Sequence, residues 1–272
     1  GKTMALQLAA IDLDGTLLHD DMTISAYSRA VIREAARRIR IVVATGRMFD
    51  SAREKANRLG LGDVPVICYT GAWVGLAESG RILRREGIPL ETAAQILEES
   101  RTHGWLMQSY IDDEICLPAP SAAADKTRRY RAKDAVYLGE AFYHPETEPT
   151  RLIVVEENSA RREAIRTYLA ARYGSAVELV HPGDFFLDVH KKGVSKGRAL
   201  CALGVSWGIA PEDMVSFGNT ENDASMLSLT GRSYAVANAE PEAKAAAKEI
   251  LPYTNDEDGP ARKLAELLHL TL

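Results

Sequence analysis

The stretch from Ala9 to Leu17, Ala-Ala-Ile-Asp-Leu-Asp-Gly-Thr-Leu, constrains this chain more than any other. Leu6 to Ile11 is a short, uncharged apolar run that ends in a Gly turn, which is the pattern of a buried strand. Side chains two apart on a strand leave on the same side, so Asp12 and Asp14 face one small volume while Leu13 returns to the core. Like charges that close raise the cost of ionising one another. Folds accommodate such a pair mainly with a cation or a shared proton. Gly15 lets the backbone turn sharply and bring amides towards an anion. Two readings are open at this point. One is a metal-assisted phosphoryl-transfer site, with one Asp as nucleophile and the other as proton shuttle. The other is an Asx turn that ends a strand at the surface.

Later strand ends carry chemistry too. The apolar run Ile39 to Ala44 is followed by Thr45-Gly46-Arg47, and a strand from Pro65 to Tyr69 by Thr70-Gly71-Ala72. Met214 to Phe217 leads into Gly218-Asn219-Thr220-Glu221-Asn222-Asp223. Between them, Lys191-Lys192-Gly193-Val194-Ser195-Lys196-Gly197 opens a helix through Leu203, with Ser195 as N-cap and Lys196 in the first turn. Ligands of open α/β sheets sit outside the carboxyl ends of the strands. Thr45 is therefore expected to offer its hydroxyl to a phosphate oxygen. A lysine at a helix N-terminus, opposite carboxylates, suits the same anion. Helices are expected from Ser25 to Arg38, Phe49 to Leu59, Pro241 to Lys248 and Ala261 to Leu268, with a strand at Tyr234 to Ala237. The acidic run Asn255-Asp256-Glu257-Asp258 lacks the far-end ligand of a calcium loop and reads as a helix cap.

From residue 81 to 190 the character changes. Strands and helices alternate, with helices at Pro89 to His103 and Ser159 to Tyr173, yet no strand end carries a carboxylate pair with a Gly turn. The segment reads as an inserted α/β domain, a lid without catalytic motifs of its own. A basic helix from Asp125 to Lys133, with Lys126, Arg128, Arg129 and Arg131, is expected either as a solvated face or as a hold on a second anionic group.

Length and charge bound the rest. At 272 residues the chain can bury a sizeable core and form two domains. A net charge of −5 argues against nucleic acid as a principal partner. No apolar run reaches the roughly 18 to 20 residues of a membrane span, and there is no secretory h-region. Three scattered cysteines, Cys68, Cys116 and Cys201, read as reduced thiols of a cytoplasmic protein. Residues 1–3 are expected to precede a natural start at Met4. Oligomeric state leaves no mark in the sequence.

Asp12-Leu13-Asp14-Gly15-Thr16-Leu17 resembles the first motif of the haloacid dehalogenase-like (HAD) phosphohydrolases. Thr45, Gly-Val-Ser-Lys-Gly at 193–197 and the 218–223 loop match the second, third and fourth motifs in the form of the Cof-type branch, subclass IIB. The resemblance implies an α/β fold with a Rossmann-like three-layer core and a mainly parallel sheet, made of 1–80 and 191–272. It also implies that 81–190 is a cap that sets substrate specificity. It further implies a phosphatase of small phosphate monoesters, sugar phosphates or phosphorylated cofactors, working through an aspartyl-phosphate on Asp12 with Asp14 as acid and base. Thr45 and Lys196 would hold the phosphoryl oxygens, and Leu13, Gly46, Arg47 and Asn222 would line the substrate. Mg²⁺ would be held by Asp12, the carbonyl of Asp14, Asn219 and Asp223. Two residues depart from the pattern. Thr70 stands where Asn is usual, and Asn219 stands where an acidic metal ligand is expected. The second departure keeps open a phosphate-binding pseudo-enzyme, and the motifs alone do not separate a phosphatase from a sugar phosphomutase.

Overall fold

A computed structural model of the chain describes residues 5–128, 131–183 and 185–272. The chain divides into two compact units, one running to Arg84 and resuming at Ser195–Leu272, the other Arg85–Val194.

The strands of the first sheet are β1 (Leu8–Asp12), β2 (Arg40–Ala44), β3 (Pro65–Cys68), β4 (Trp73–Leu76) and β5 (Ile82–Arg85). Those of the second are β6 (Leu106–Ile111), β7 (Glu114–Leu117), β8 (Ala135–Tyr137), β9 (Arg151–Val155), β10 (Val177–Gly183) and β11 (Phe186–Lys191). The first sheet is completed by β12 (Met214–Gly218), β13 (Arg232–Ala235) and β14 (Glu249–Ile250). Its order is β14-β13-β12-β1-β2-β3-β4-β5. Pairing is parallel from β14 to β3 and antiparallel between β3 and β4.

The residues of β1 explain its central place. All five are buried, and a strand covered on both faces must be apolar throughout. Leu8 and Ala10 join Val42, Ala44, Leu200, Leu203 and Met226 in one core. Ala9, Ile11, Ile41 and Val43, pointing the other way, are buried as well. Helices therefore cover both faces, giving three layers. β1 pairs with β2 on one side and β12 on the other, so chain order reverses there. Ligands of such sheets sit at that switch point, beyond the strand ends.

In the second unit the sheet order is β10-β11-β9-β6-β7-β8, antiparallel except for the parallel pair β7 and β8. Helices Leu90–His103 and Ser159–Tyr173 pack Ile96, Leu97, Ile165 and Leu169 against Met107, Leu152, Val154, Leu187 and Val189. The first helix stops at Gly104, whose left-handed backbone suits a residue without Cβ. The opposite sheet face is mixed: Gln108, Asp188 and His190 lie on it beside Tyr110, Ile115 and Ile153, all buried.

The expected basic helix at 125–133 is different. The helix covers only Ala122–Lys126, capped by the Ser121 hydroxyl, and Arg129 lies outside the described residues. The neighbouring charges are met locally: Arg128 by Asp125 at 3.6 Å and Lys133 by Glu114 at 3.3 Å. Helix 241–246 also ends earlier than expected, because the chain turns at Ala247 into β14.

Candidate active site

Four backbone segments at the carboxyl ends of β1, β2 and β12 and at the start of helix Lys196–Trp207 deliver the site. The first is a type II turn, Leu13-Asp14-Gly15-Thr16, with Asp14 at φ −64°, ψ 124° and Gly15 at φ 73°, ψ 2°. Gly15 is required there twice over. Its backbone is left-handed, and a Cβ would lie 2.2 Å from Asn219 Nδ2.

Asp12 ends β1 with only 5% of its surface exposed. Its Oδ1 accepts from Lys196 Nζ at 2.9 Å and its Oδ2 from Thr16 Oγ1 at 3.1 Å. The same ammonium donates to Asp223 Oδ1 at 2.6 Å. One buried cation thus stands between two buried carboxylates. Burial, and then the charge of Asp223, push the Asp12 carboxyl up to about 7 against the pull of Lys196. Burial works against the Lys196 ammonium, but Asp12 and Asp223 outweigh it and hold the group above the ordinary lysine value. The cluster is one positive charge short.

Asp223, expected as a metal ligand, also holds its own loop. Its Oδ2 accepts from the backbone amides of Asn219 at 2.8 Å and Thr220 at 3.1 Å, while Oδ1 takes Lys196. Both oxygens are engaged by donors, so the side chain holds the loop and orients the lysine. Gly218 permits this, since a Cβ there would lie 2.5 Å from that of Asp223. Gly197 likewise lets the helix start approach the backbone of Ser225 and Met226.

Asn219 Oδ1 faces the same hydroxyl as Asp12: Thr16 Oγ1 lies 3.1 Å from it. Among the described residues no group of three or more His, Cys, Asp or Glu could hold a metal ion. What remains is an all-oxygen set, the Asp12 carboxylate and the Asn219 amide oxygen, with the Asp14 carbonyl on the turn that follows Asp12. Oxygen donors of this kind suit a hard divalent cation such as Mg²⁺, and the missing positive charge favours one.

Thr45, 1% exposed, closes β2. Its hydroxyl accepts from the amide of Arg47 at 3.1 Å and its carbonyl from the amide of Thr70 at 3.1 Å. A Cβ on Gly46 would lie 3.3 Å from Thr70 Oγ1 and 3.5 Å from Asn222 Nδ2, so those two side chains border this turn. Leu13 is wholly buried, and only its backbone can meet a ligand. Arg47 does not stand free at the mouth of the site. It grips both oxygens of Asp14, Nε to Oδ2 at 2.7 Å and Nη2 to Oδ1 at 2.6 Å. That bond holds the guanidinium above its ordinary value.

Some participants went unnoticed in the sequence. Thr16 bridges Asp12 and Asn219, four residues beyond the first. Asn238 Nδ2 donates to the Gly15 carbonyl at 3.0 Å. Asn255 donates its side-chain amide to Leu18 O at 2.9 Å and its backbone amide to Asn238 Oδ1 at 3.0 Å. The position of Asn238 just past β13 was the available signal for that residue. For Asn255 there was none. Asp258 accepts from His19, Ser25 and Ser28 through one oxygen, at 2.7, 2.7 and 3.0 Å. It ties the segment after the first motif to the last helix instead of capping that helix with its side chain.

A family model described as haloacid dehalogenase-like hydrolase matches residues 9–264. A phosphoglycolate phosphatase of Halorubrum lacusprofundi is 30% identical, over 95% of this chain and 96% of its own. Pyridoxal phosphate phosphatase YbhA of Escherichia coli is 26% identical over 91% and 94%. The crystal structure of TM0651 from Thermotoga maritima superposes with a TM-score of 0.84 at 28% identity, covering 96% of this chain and 97% of that one. The subclass IIB sugar phosphatase BT4131 shares the fold, with a TM-score of 0.77 at 22% identity and coverage of 97% and 100%.

Proposed function

The chain belongs to the haloacid dehalogenase-like hydrolases, and from that premise we propose that it is a Mg²⁺-dependent phosphatase of small phosphate monoesters. The observation that carries the reading is the Asp12 carboxylate, buried at the end of the central strand and held through both oxygens by Lys196 and Thr16. A carboxylate so fixed is an oriented nucleophile.

Asp12 attacks phosphorus, the bond from phosphorus to the ester oxygen breaks, and Asp14 gives its proton to that oxygen. Water then passes a proton to Asp14 as its oxygen bonds to phosphorus, which breaks the aspartyl-phosphate and frees Asp12. Acid-base help of this kind is worth about 10² to 10⁴ in rate. Thr45 and Lys196 hold the phosphoryl oxygens, and Asn222 lies beside them. When bound to Asp12, Asn219 and the Asp14 carbonyl, Mg²⁺ supplies the positive charge that the cluster lacks.

The inserted unit acts as the cap that selects the leaving group. Sugar phosphates and phosphorylated cofactors both remain within the proposed substrate class. Cys68 and Cys116, buried, and Cys201, half-buried, support a reducing, cytoplasmic setting. Among the described residues no helix is long and apolar enough to cross a membrane.

Asn219 favours a second reading, a protein that binds phosphate esters without turning them over. Hydrolysis of p-nitrophenyl phosphate across a Mg²⁺ titration separates the two. Turnover that disappears in Asp12→Asn establishes the phosphatase. Phosphate binding without turnover at any Mg²⁺ concentration establishes the binder.

A further inference from the structure

We propose that Arg47 is the positioning residue of the proton donor Asp14, not a contact to the phosphoryl group; the inference rests on the phosphatase reading above.

The Asp14 side chain is 42% exposed, on the outer corner of its turn. A short carboxylate so open to water samples several rotamers unless something selects one. The Arg47 fork does so, with two parallel hydrogen bonds of 2.7 and 2.6 Å, a geometry that fixes the plane of the acceptor as well as its distance. The guanidinium is in turn fixed. Its Nη1 donates to Ser51 Oγ at 2.8 Å, in the first turn of the helix that Phe49 opens, and Nη2 lies 3.5 Å from Met22 Sδ. Four of its five N–H bonds are thus directed to Asp14, Ser51 and Met22, which turns the fork to the proton donor and leaves a single Nη1 hydrogen over. The backbone amide of Arg47 also donates to Thr45 Oγ1. One residue thereby aligns the proton donor with the hydroxyl that holds the phosphoryl group.

The consequence concerns one bond. When the Asp12 oxygen bonds to phosphorus and the ester oxygen departs, the Asp14 hydrogen passes to that oxygen and leaves Asp14 as the carboxylate that the fork holds. An alkyl alkoxide cannot leave without that proton, whereas p-nitrophenolate leaves unaided. Misplacing Asp14 therefore slows alkyl esters alone. The value of kcat/KM isolates this step, because it ends at the first irreversible event.

The experiment compares kcat/KM for 2-glycerophosphate and p-nitrophenyl phosphate in the wild type, Arg47→Ala, Arg47→Lys and Ser51→Ala. The expected result for Arg47→Ala is a loss of about 10² to 10⁴ on the alkyl ester, the full worth of a general acid, with a loss under about tenfold on the aryl ester. Arg47→Lys restores little, since a point charge cannot form the fork. Ser51→Ala, which loosens the guanidinium without removing it, shows the same selectivity at smaller amplitude. Equal losses on both esters would place Arg47 on the phosphoryl group and overturn the inference, and so would full rescue by Arg47→Lys. A wild type silent towards both esters would instead remove the phosphatase reading, and this inference with it.

Discussion

Replacing Asn219 by Asp tests the metal site most directly, because the structure sets the size of the effect. Asp12 Oδ2 and Asn219 Oδ1 each lie 3.1 Å from Thr16 Oγ1. They are therefore no more than about 6 Å apart, and two unit charges at that separation repel by about 0.7 kcal/mol in water and about 3 kcal/mol at an effective dielectric of 20. Thr16 has one hydroxyl hydrogen and cannot serve both carboxylates at once. In the presence of a chelator, Asn219→Asp is expected to be less stable by an amount within those bounds, a fall of about 2 to 10 °C in melting temperature. Saturating Mg²⁺ should reverse the deficit, since a ligand that binds only the folded state stabilises it. The repulsion then becomes attraction to the cation. A gain of even about 1.4 kcal/mol lowers the half-saturating Mg²⁺ tenfold. Differential scanning fluorimetry with and without chelator, beside a Mg²⁺ titration of turnover, reads both effects. An unchanged melting temperature in chelator together with an unchanged Mg²⁺ requirement would show that position 219 does not face a cation.

Lys196→Met should leave Asp12 and Asp223 buried without their shared cation, at about 3 to 5 kcal/mol, and abolish turnover; denaturant unfolding checks the first part, and a loss under about 1 kcal/mol would contradict it. Thr70 sits at φ 58°, a left-handed backbone that a β-branched residue tolerates poorly. Thr70→Asn should therefore stabilise the chain by about 1 kcal/mol, read from the urea midpoint. Asp258 is a further case. Burial pushes its carboxyl up, but the bonds from His19, Ser25 and Ser28 outweigh this and hold it below the ordinary 3.8. A depressed folded value stabilises above the unfolded value, and that contribution is lost as pH falls through the folded one. Asp258→Asn, which still tolerates the left-handed backbone at φ 59°, should lower stability at pH 7 and flatten its decline below about pH 4. A parallel decline in both proteins would refute the assignment.

Strands β1, β2, β3 and β12 were legible because they are short, mainly apolar runs with a turn after each, and Gly15 announced the sharpest of those turns; β4 was not read, and β5 was read as part of the inserted segment. The residues at the strand ends could be named because position after a strand implies position at the ligand face. Their partners could not. That Arg47 grips Asp14, or that Asp223 turns both oxygens to Lys196 and two amides, depends on side-chain directions that spacing does not encode. Asn255 reaches Leu18 across more than two hundred residues, and Asp258 reaches His19 in the same way. No local pattern marks such contacts. β14 was missed for a different reason: its Glu-Ile pair is too short to show any periodicity, and Ala-rich 243–247 prolonged the expected helix before it.

The order of the strands also sets a timetable for synthesis. β1 finds β2 almost as soon as it leaves the ribosome, but its other edge waits for β12, which follows the whole of the inserted unit. About 200 residues separate the two, roughly 10 to 40 s at ordinary translation rates. Throughout that interval the innermost strand of the finished protein is an unpaired apolar edge, of the kind that invites association with other chains. The nascent chain thus carries its greatest hazard where the mature molecule is most secure, and chaperone demand should fall when β12 emerges.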